Sequence, residues 1–133
     1  MPSTKRDDAT IAYAVDGAGE PVLLVQGAGV AGSGWRPQVE ALRGRWRTIT
    51  FDNRGFGDSP RGARPPSIED LAADALAVLD ALGISSAHVI GHSMGGLIAQ
   101  AIGLAAPARV RSLSLLSTFE RGTRASFPSA SVM

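Results

Sequence analysis

The residues best suited to chemistry are Gly91-His92-Ser93-Met94-Gly95-Gly96, which have the form G-x-S-x-G. A serine hydroxyl attacks a carbonyl only when it is held clear of the backbone and gives up its proton during the attack. A strand that turns abruptly into a helix meets the first need, because the turn drives its central residue into a strained conformation. The residues two places to either side must then lack bulk, and Gly91 and Gly95 do. Gly96 lets the helix pack close to the strand. The helix start aims N–H groups at the site, where they suit an oxyanion. A glycine-rich turn with an incidental serine is the plainer alternative. Context separates the two: an apolar run precedes the motif and an amphipathic one follows it.

A base for Ser93 is harder to find. His88 and His92 are the two histidines, and neither follows Ser93. About four residues of strand, more than roughly 10 Å, separate His88 from the serine. His92 is adjacent, but the turn is expected to point it away from the pocket. Both therefore read as packed, structural histidines.

The elements that must position Ser93 follow from apolar spacing. Ile11–Val15 reads as a short strand, and Val22–Val25, Arg47–Phe51, Ala87–Ile90 and Val110–Leu116 as buried strands of the parallel type. Gly27–Gly34 reads as a loop before a helix from Pro37 to Leu42. Asn53–Pro66 is a Gly/Pro-rich loop. Ser67 is the expected N-cap of the strongest helix, with Asp70 at the capping-box position and Gly83 at the far end. Leu71, Ala75, Val78, Leu79 and Leu82 lie on one face of it. Leu97–Ala105 is a further helix, stopped by Pro107. Strands alternating with helices predict an α/β fold, a mostly parallel sheet with helices on both faces.

The loop Gly27-Ala28-Gly29-Val30-Ala31-Gly32 offers a rival from another class. It is a literal G-x-G-x-x-G after a strand, with Asp52 about twenty residues on, as in a dinucleotide-binding unit. Against it, Ser33, Gly34 and Pro37 postpone the helix, so no helix N-terminus would face a pyrophosphate. A glycine-rich loop after an earlier strand serves better as the second half of an oxyanion hole.

Composition narrows the field further. The chain has 133 residues, 44% of them apolar, with thirteen basic and twelve acidic side chains. That suits one domain with a real core and gives no reason to expect nucleic acid or an anionic membrane as partner. It has no cysteine, hence no disulfide or thiol chemistry. The polar start lacks a secretory apolar region, and Met94–Ala106 is too short to span a bilayer. A cytoplasmic location and no cofactor or metal are expected.

Three motifs in order carry a resemblance: Gln26-Gly27-Ala28-Gly29, Phe51-Asp52-Asn53-Arg54-Gly55-Phe56-Gly57-Asp58-Ser59, and Gly91–Gly96. Over residues 10–118 the chain resembles the amino-terminal half of an α/β-hydrolase-fold protein, most closely the esterase, enol-lactonase and haloperoxidase-like branch. The resemblance implies Ser93 as nucleophile, the backbone N–H groups of Ala28 and Met94 as oxyanion hole, and a small ester or lactone as substrate. Where the family often has His, Gln26 stands here; the backbone N–H does the work, so the change matters little. The Asp52–Ser59 loop is implied to be architectural, with Arg54 paired to a nearby carboxylate. The family's acid and His follow Ser93 in the chain. Glu120 lies where some relatives carry the acid, although an exposed tail charge is the preferred reading. Residues 1–118 are thus expected to form a half-domain and 119–133 an irregular tail. The expected protein is a truncated hydrolase, weak or inactive alone. The alternative is a non-catalytic partner that pairs or self-associates through the edge at Val110–Leu116.

Overall fold

The apolar segments become strands and the amphipathic ones helices across residues 1–120, the part of the chain that the computed structural model describes. Their order is β1 (Ser3–Arg6), β2 (Ala9–Asp16), β3 (Glu20–Val25), α1 (Arg36–Leu42), β4 (Trp46–Phe51), α2 (Ile68–Ala81), β5 (Ala87–His92), α3 (Met94–Ala105) and β6 (Val110–Leu116). The strands form one sheet in the order β1-β2-β4-β3-β5-β6. β4, β3, β5 and β6 run parallel, while β2 joins β4 and β1 joins β2 in antiparallel pairing.

Alternation along the central strand β3 builds two apolar layers. Leu23 and Val25 pack with Leu71, Val78, Ile98 and Ile102 from α2 and α3. Val22 and Leu24 face the other way, against Trp35, just before α1, and Val39 of α1. A strand covered on both faces can be apolar throughout, which is why β3 reads as a continuous run. The expected mostly parallel sheet with helices on both faces is the architecture observed.

The capping box of α2 forms as its sequence predicts. Ser67 Oγ accepts the Asp70 N–H at 3.1 Å, and Asp70 returns a bond to the Ser67 N–H at 2.9 Å. Arg64 donates to the same carboxylate at 2.6 Å, and this pairing, with the Ser67 N–H, holds the Asp70 carboxyl well below the usual range. Gly83, with φ of 68°, takes the left-handed conformation that ends the helix.

Three elements differ from expectation. β1 forms from polar residues, because an antiparallel edge strand needs only one apolar face and its partner β2 supplies the burial. Part of the Gly27–Gly34 loop is a 3-10 turn over Gly32–Trp35 that runs into α1. α3 starts at Met94, three residues before Leu97, so that Ser93 alone joins strand to helix. β6 has the expected bounds and ends the sheet, with Leu113, Leu115 and Leu116 left 40–47% exposed. Of the expected tail, residues 121–133 lie outside the described residues. No helix among those described is long and apolar enough to cross a membrane.

Candidate active site

Ser93 has φ 56° and ψ −123°, a conformation that a side-chain-bearing residue adopts only under external constraint. The constraint comes from its neighbours. A Cβ on Gly91 would strike the Gly95 carbonyl and Gly96 Cα, and one on Gly95 would strike the carbonyls of Val25 and Gln26. These contacts are backbone against backbone, so β5, α3 and the end of β3 approach as closely as chains can.

The same approach brings the Gln26–Gly29 loop to the serine. A Cβ on Gly27 would lie 3.2 Å from Ser93 Cβ and 3.6 Å from its Oγ. Ala28, the next residue, is half-buried beside it. Met94 is the first residue of α3, so its N–H has no carbonyl one turn back to bond. Of the two residues expected to line an oxyanion hole, Ala28 follows Gly27 in this loop and Met94 follows Ser93 at the start of α3.

The loop is held by the second motif. Gln26 is buried, and its Nε2 donates to the Phe51 carbonyl at 2.7 Å, which ties the end of β3 to the end of β4. Asp52 accepts the Gly32 N–H at 2.7 Å with one carboxylate oxygen and the Asp58 N–H at 2.9 Å with the other. Its carboxylate joins two loops, and α1 opens only at Arg36. The dinucleotide alternative wanted that acid for a ribose and a helix start within the glycines. Ser59 extends the joint, its hydroxyl donating to the Asp52 carbonyl at 2.6 Å while accepting the Ala12 N–H at 2.9 Å.

Arg54 finds the carboxylate that the resemblance implied, and it is Asp74. Arg54 Nε and Nη2 donate one hydrogen bond each to the two Asp74 carboxylate oxygens at 2.8 Å, both side chains almost wholly buried, and Arg6 Nε adds a third at 2.8 Å. The hydrogen bonds that Arg54 donates to Asp74 push the pKa of its guanidinium further up from an already high value. Sequence reasoning missed Asp74, although a signal existed. It lies three residues after Leu71 and four before Val78, inside the apolar stripe of α2, where a carboxylate requires a buried cation.

The histidines need one correction. His92 is exposed and lines a cleft of about 340 Å³ with Gln26, Gly27, Val30, Trp35 and Leu116. It is exposed rather than packed as expected, and Ser93 is not among the residues that line this cleft. The reason is the pleat: β5 extends through His92, so buried Gly91 and exposed His92 face opposite ways. His88 is at the other end of β5, half-buried, edge-on to the Trp46 ring at 5.4 Å and 2.7 Å from Ser112 Oγ. Glu120 is exposed beyond the end of β6.

A parallel sheet in which one strand turns at a strained serine into a glycine-packed helix, facing a glycine-rich loop from the neighbouring strand, defines the α/β class built around a nucleophile elbow. The chain belongs to the alpha/beta hydrolase fold family, whose model matches residues 20–131, and is similar to esterases, lactonases and a bromoperoxidase-named protein within it. It is 46% identical over 121 residues to a protein of Azorhizobium caulinodans provisionally named carbamate hydrolase RutD, a match covering 91% of this chain and 46% of that protein. Est816, described as an N-acyl homoserine lactone degrading enzyme, superposes with a TM-score of 0.85 and 34% identity, over 88% of this chain and 45% of its own. The enol-lactonase of Burkholderia xenovorans LB400 gives 0.83 and 32%, over 88% of this chain and 46% of its own. The chain spans a little under half the length of each of these proteins.

Proposed function

We propose that this chain carries the nucleophile and oxyanion hole of a serine hydrolase for small carboxylic esters or lactones. The single observation behind this reading is the Ser93 backbone, strained at φ 56° with the Gly27 loop against its side chain. Ser93 Oγ attacks the carbonyl carbon, its proton passes to water, and water protonates the leaving alkoxide. The oxyanion takes hydrogen bonds from the Ala28 and Met94 N–H groups, and collapse expels the alcohol and leaves an acyl-enzyme on Ser93. Water then attacks the acyl carbon and releases the acid. With no histidine after Ser93 in these 133 residues, the proton goes to solvent and turnover is slow. Loss of a triad histidine costs about a million-fold in the subtilisin case, while an oxyanion hole and binding still leave roughly a thousandfold over water. With p-nitrophenyl acetate, the expected result is one acetyl adduct per chain, mapped to Ser93 by intact mass and peptide analysis and absent in Ser93→Ala. No adduct, or equal adduct in the two proteins, would end the reading.

A second reading, a partner that completes its sheet with another chain, is favoured by the exposed leucines of β6. It expects concentration-dependent self-association or co-elution with a second chain on size exclusion. A lone monomer at all concentrations contradicts it.

A further inference from the structure

The strained elbow is braced by the chain just after β6. The Ser93 N–H donates to the Leu116 carbonyl at 3.0 Å, and the Ser93 carbonyl accepts the Thr118 hydroxyl at 2.6 Å. The same carbonyl takes the Gly96 N–H at 2.9 Å, which closes the first turn of α3. Thr118 also fills the space that a Cβ on Gly96 would need. One turn further along α3, Gln100 Nε2 bridges the Gly96 carbonyl at 3.1 Å and the Phe119 carbonyl at 3.0 Å. Both polar backbone groups of the nucleophile residue are thus held by one short segment, Leu116–Thr118.

A conformation of this kind costs about 1–3 kcal/mol and persists only where its surroundings over-determine it. The glycines at 91 and 95 permit the strain by making room, but room alone does not select one conformation. Directional bonds do. We infer that Thr118 is a positioning residue for the nucleophile. Its hydroxyl fixes the Ser93 carbonyl, and with it the direction of Ser93 Oγ relative to the Ala28 and Met94 N–H groups. The inference rests on Ser93 as nucleophile for its catalytic consequence, though not for its structural one.

Thr118→Val keeps the shape against Gly96 and removes the donor, while Thr118→Ser keeps the donor. Two readouts separate the two claims. Native-state hydrogen exchange at the Ser93 and Gly96 amides is expected to quicken about tenfold in Thr118→Val, the size of one hydrogen bond, with wild-type protection in Thr118→Ser and unchanged exchange at Leu23 and Ile49. For fluorophosphonate labelling, the maximal rate is expected to fall by a similar factor in Thr118→Val with the half-saturating concentration unchanged, and Thr118→Ser to restore it. Wild-type exchange in Thr118→Val overturns the inference. Altered exchange in a protein whose Ser93 never labels keeps the brace and removes the nucleophile. If Thr118→Val does not fold, the wild-type protein still decides. A hydroxyl proton held at 2.6 Å is expected to exchange slowly enough for NMR detection, and a fast-exchanging Thr118 hydroxyl contradicts the brace.

Discussion

Gly95→Ala is expected to leave a chain that no longer folds cooperatively, or one destabilised by about 4 kcal/mol or more. The argument is geometric. A methyl group at this position meets the Val25 and Gln26 carbonyls, and both belong to the backbone of the central strand and the loop that follows it. A flexible side chain could turn aside. β3 cannot, because it is hydrogen-bonded on both edges, to β4 and to β5. Any relief must separate α3 from the sheet, which would open the layer containing Ile98, Ala99 and Ile102. Gly103→Ala is the matching control in the same helix, since a Cβ there meets nothing within 4 Å. It is expected to stabilise the protein by about 0.5–1 kcal/mol through helix propensity and a less free unfolded chain. Urea unfolding of both variants checks the pair, and a Gly95→Ala midpoint equal to wild type would refute the close approach at the elbow.

Asp74→Ala is expected to cost about 3–5 kcal/mol, the usual consequence of stripping a buried cation of its partner. Arg54 is 3% exposed and Asp74 fully buried, so water cannot take the place of the lost carboxylate. Arg6 loses its own contact to the same group, and β1 loosens with it. Replacing Arg54 and Asp74 together by methionine and leucine is expected to recover much of the loss, because an apolar pair needs no desolvation of charge. Chemical denaturation of the single and double variants tests this. A single-variant cost below about 1 kcal/mol would mean that the pair is not buried as described. The site feels the change too, since Arg54 anchors the loop whose first residue, Asp52, holds the Gly32 end of the glycine loop beside Ser93.

Which of these features the sequence revealed depends on how local their causes are. The capping box of α2 lies within four residues, so Ser67 and Asp70 announce it. The elbow is equally local, its glycines being separated from Ser93 by one residue each, and β6 has the expected bounds, although as the sheet's edge it is exposed where a buried strand is expected. β1 was hidden because its four residues carry no apolar periodicity and its burial comes from pairing with β2. Gln26 looked like a neutral change at a loop position, yet its side chain bonds Phe51 across the sheet. The Thr118 brace spans 25 residues and depends on parallel pairing of β5 with β6, which periodicity cannot register. His92 is exposed where a packed side chain is expected, for a related reason. Its direction is set by how far β5 continues, and strand ends are where pattern is weakest.

The central claim is that Ser93 is a working nucleophile position, and a fluorophosphonate probe read by intact mass, with peptide mapping, tests it most directly. Attack by Ser93 Oγ forms a P–O bond, fluoride leaves, and the proton passes to solvent. The account predicts one adduct per chain, mapped to Ser93, absent in Ser93→Ala and slowed in Thr118→Val. A folded wild-type protein that takes up no adduct, or takes it up equally in Ser93→Ala, would contradict it.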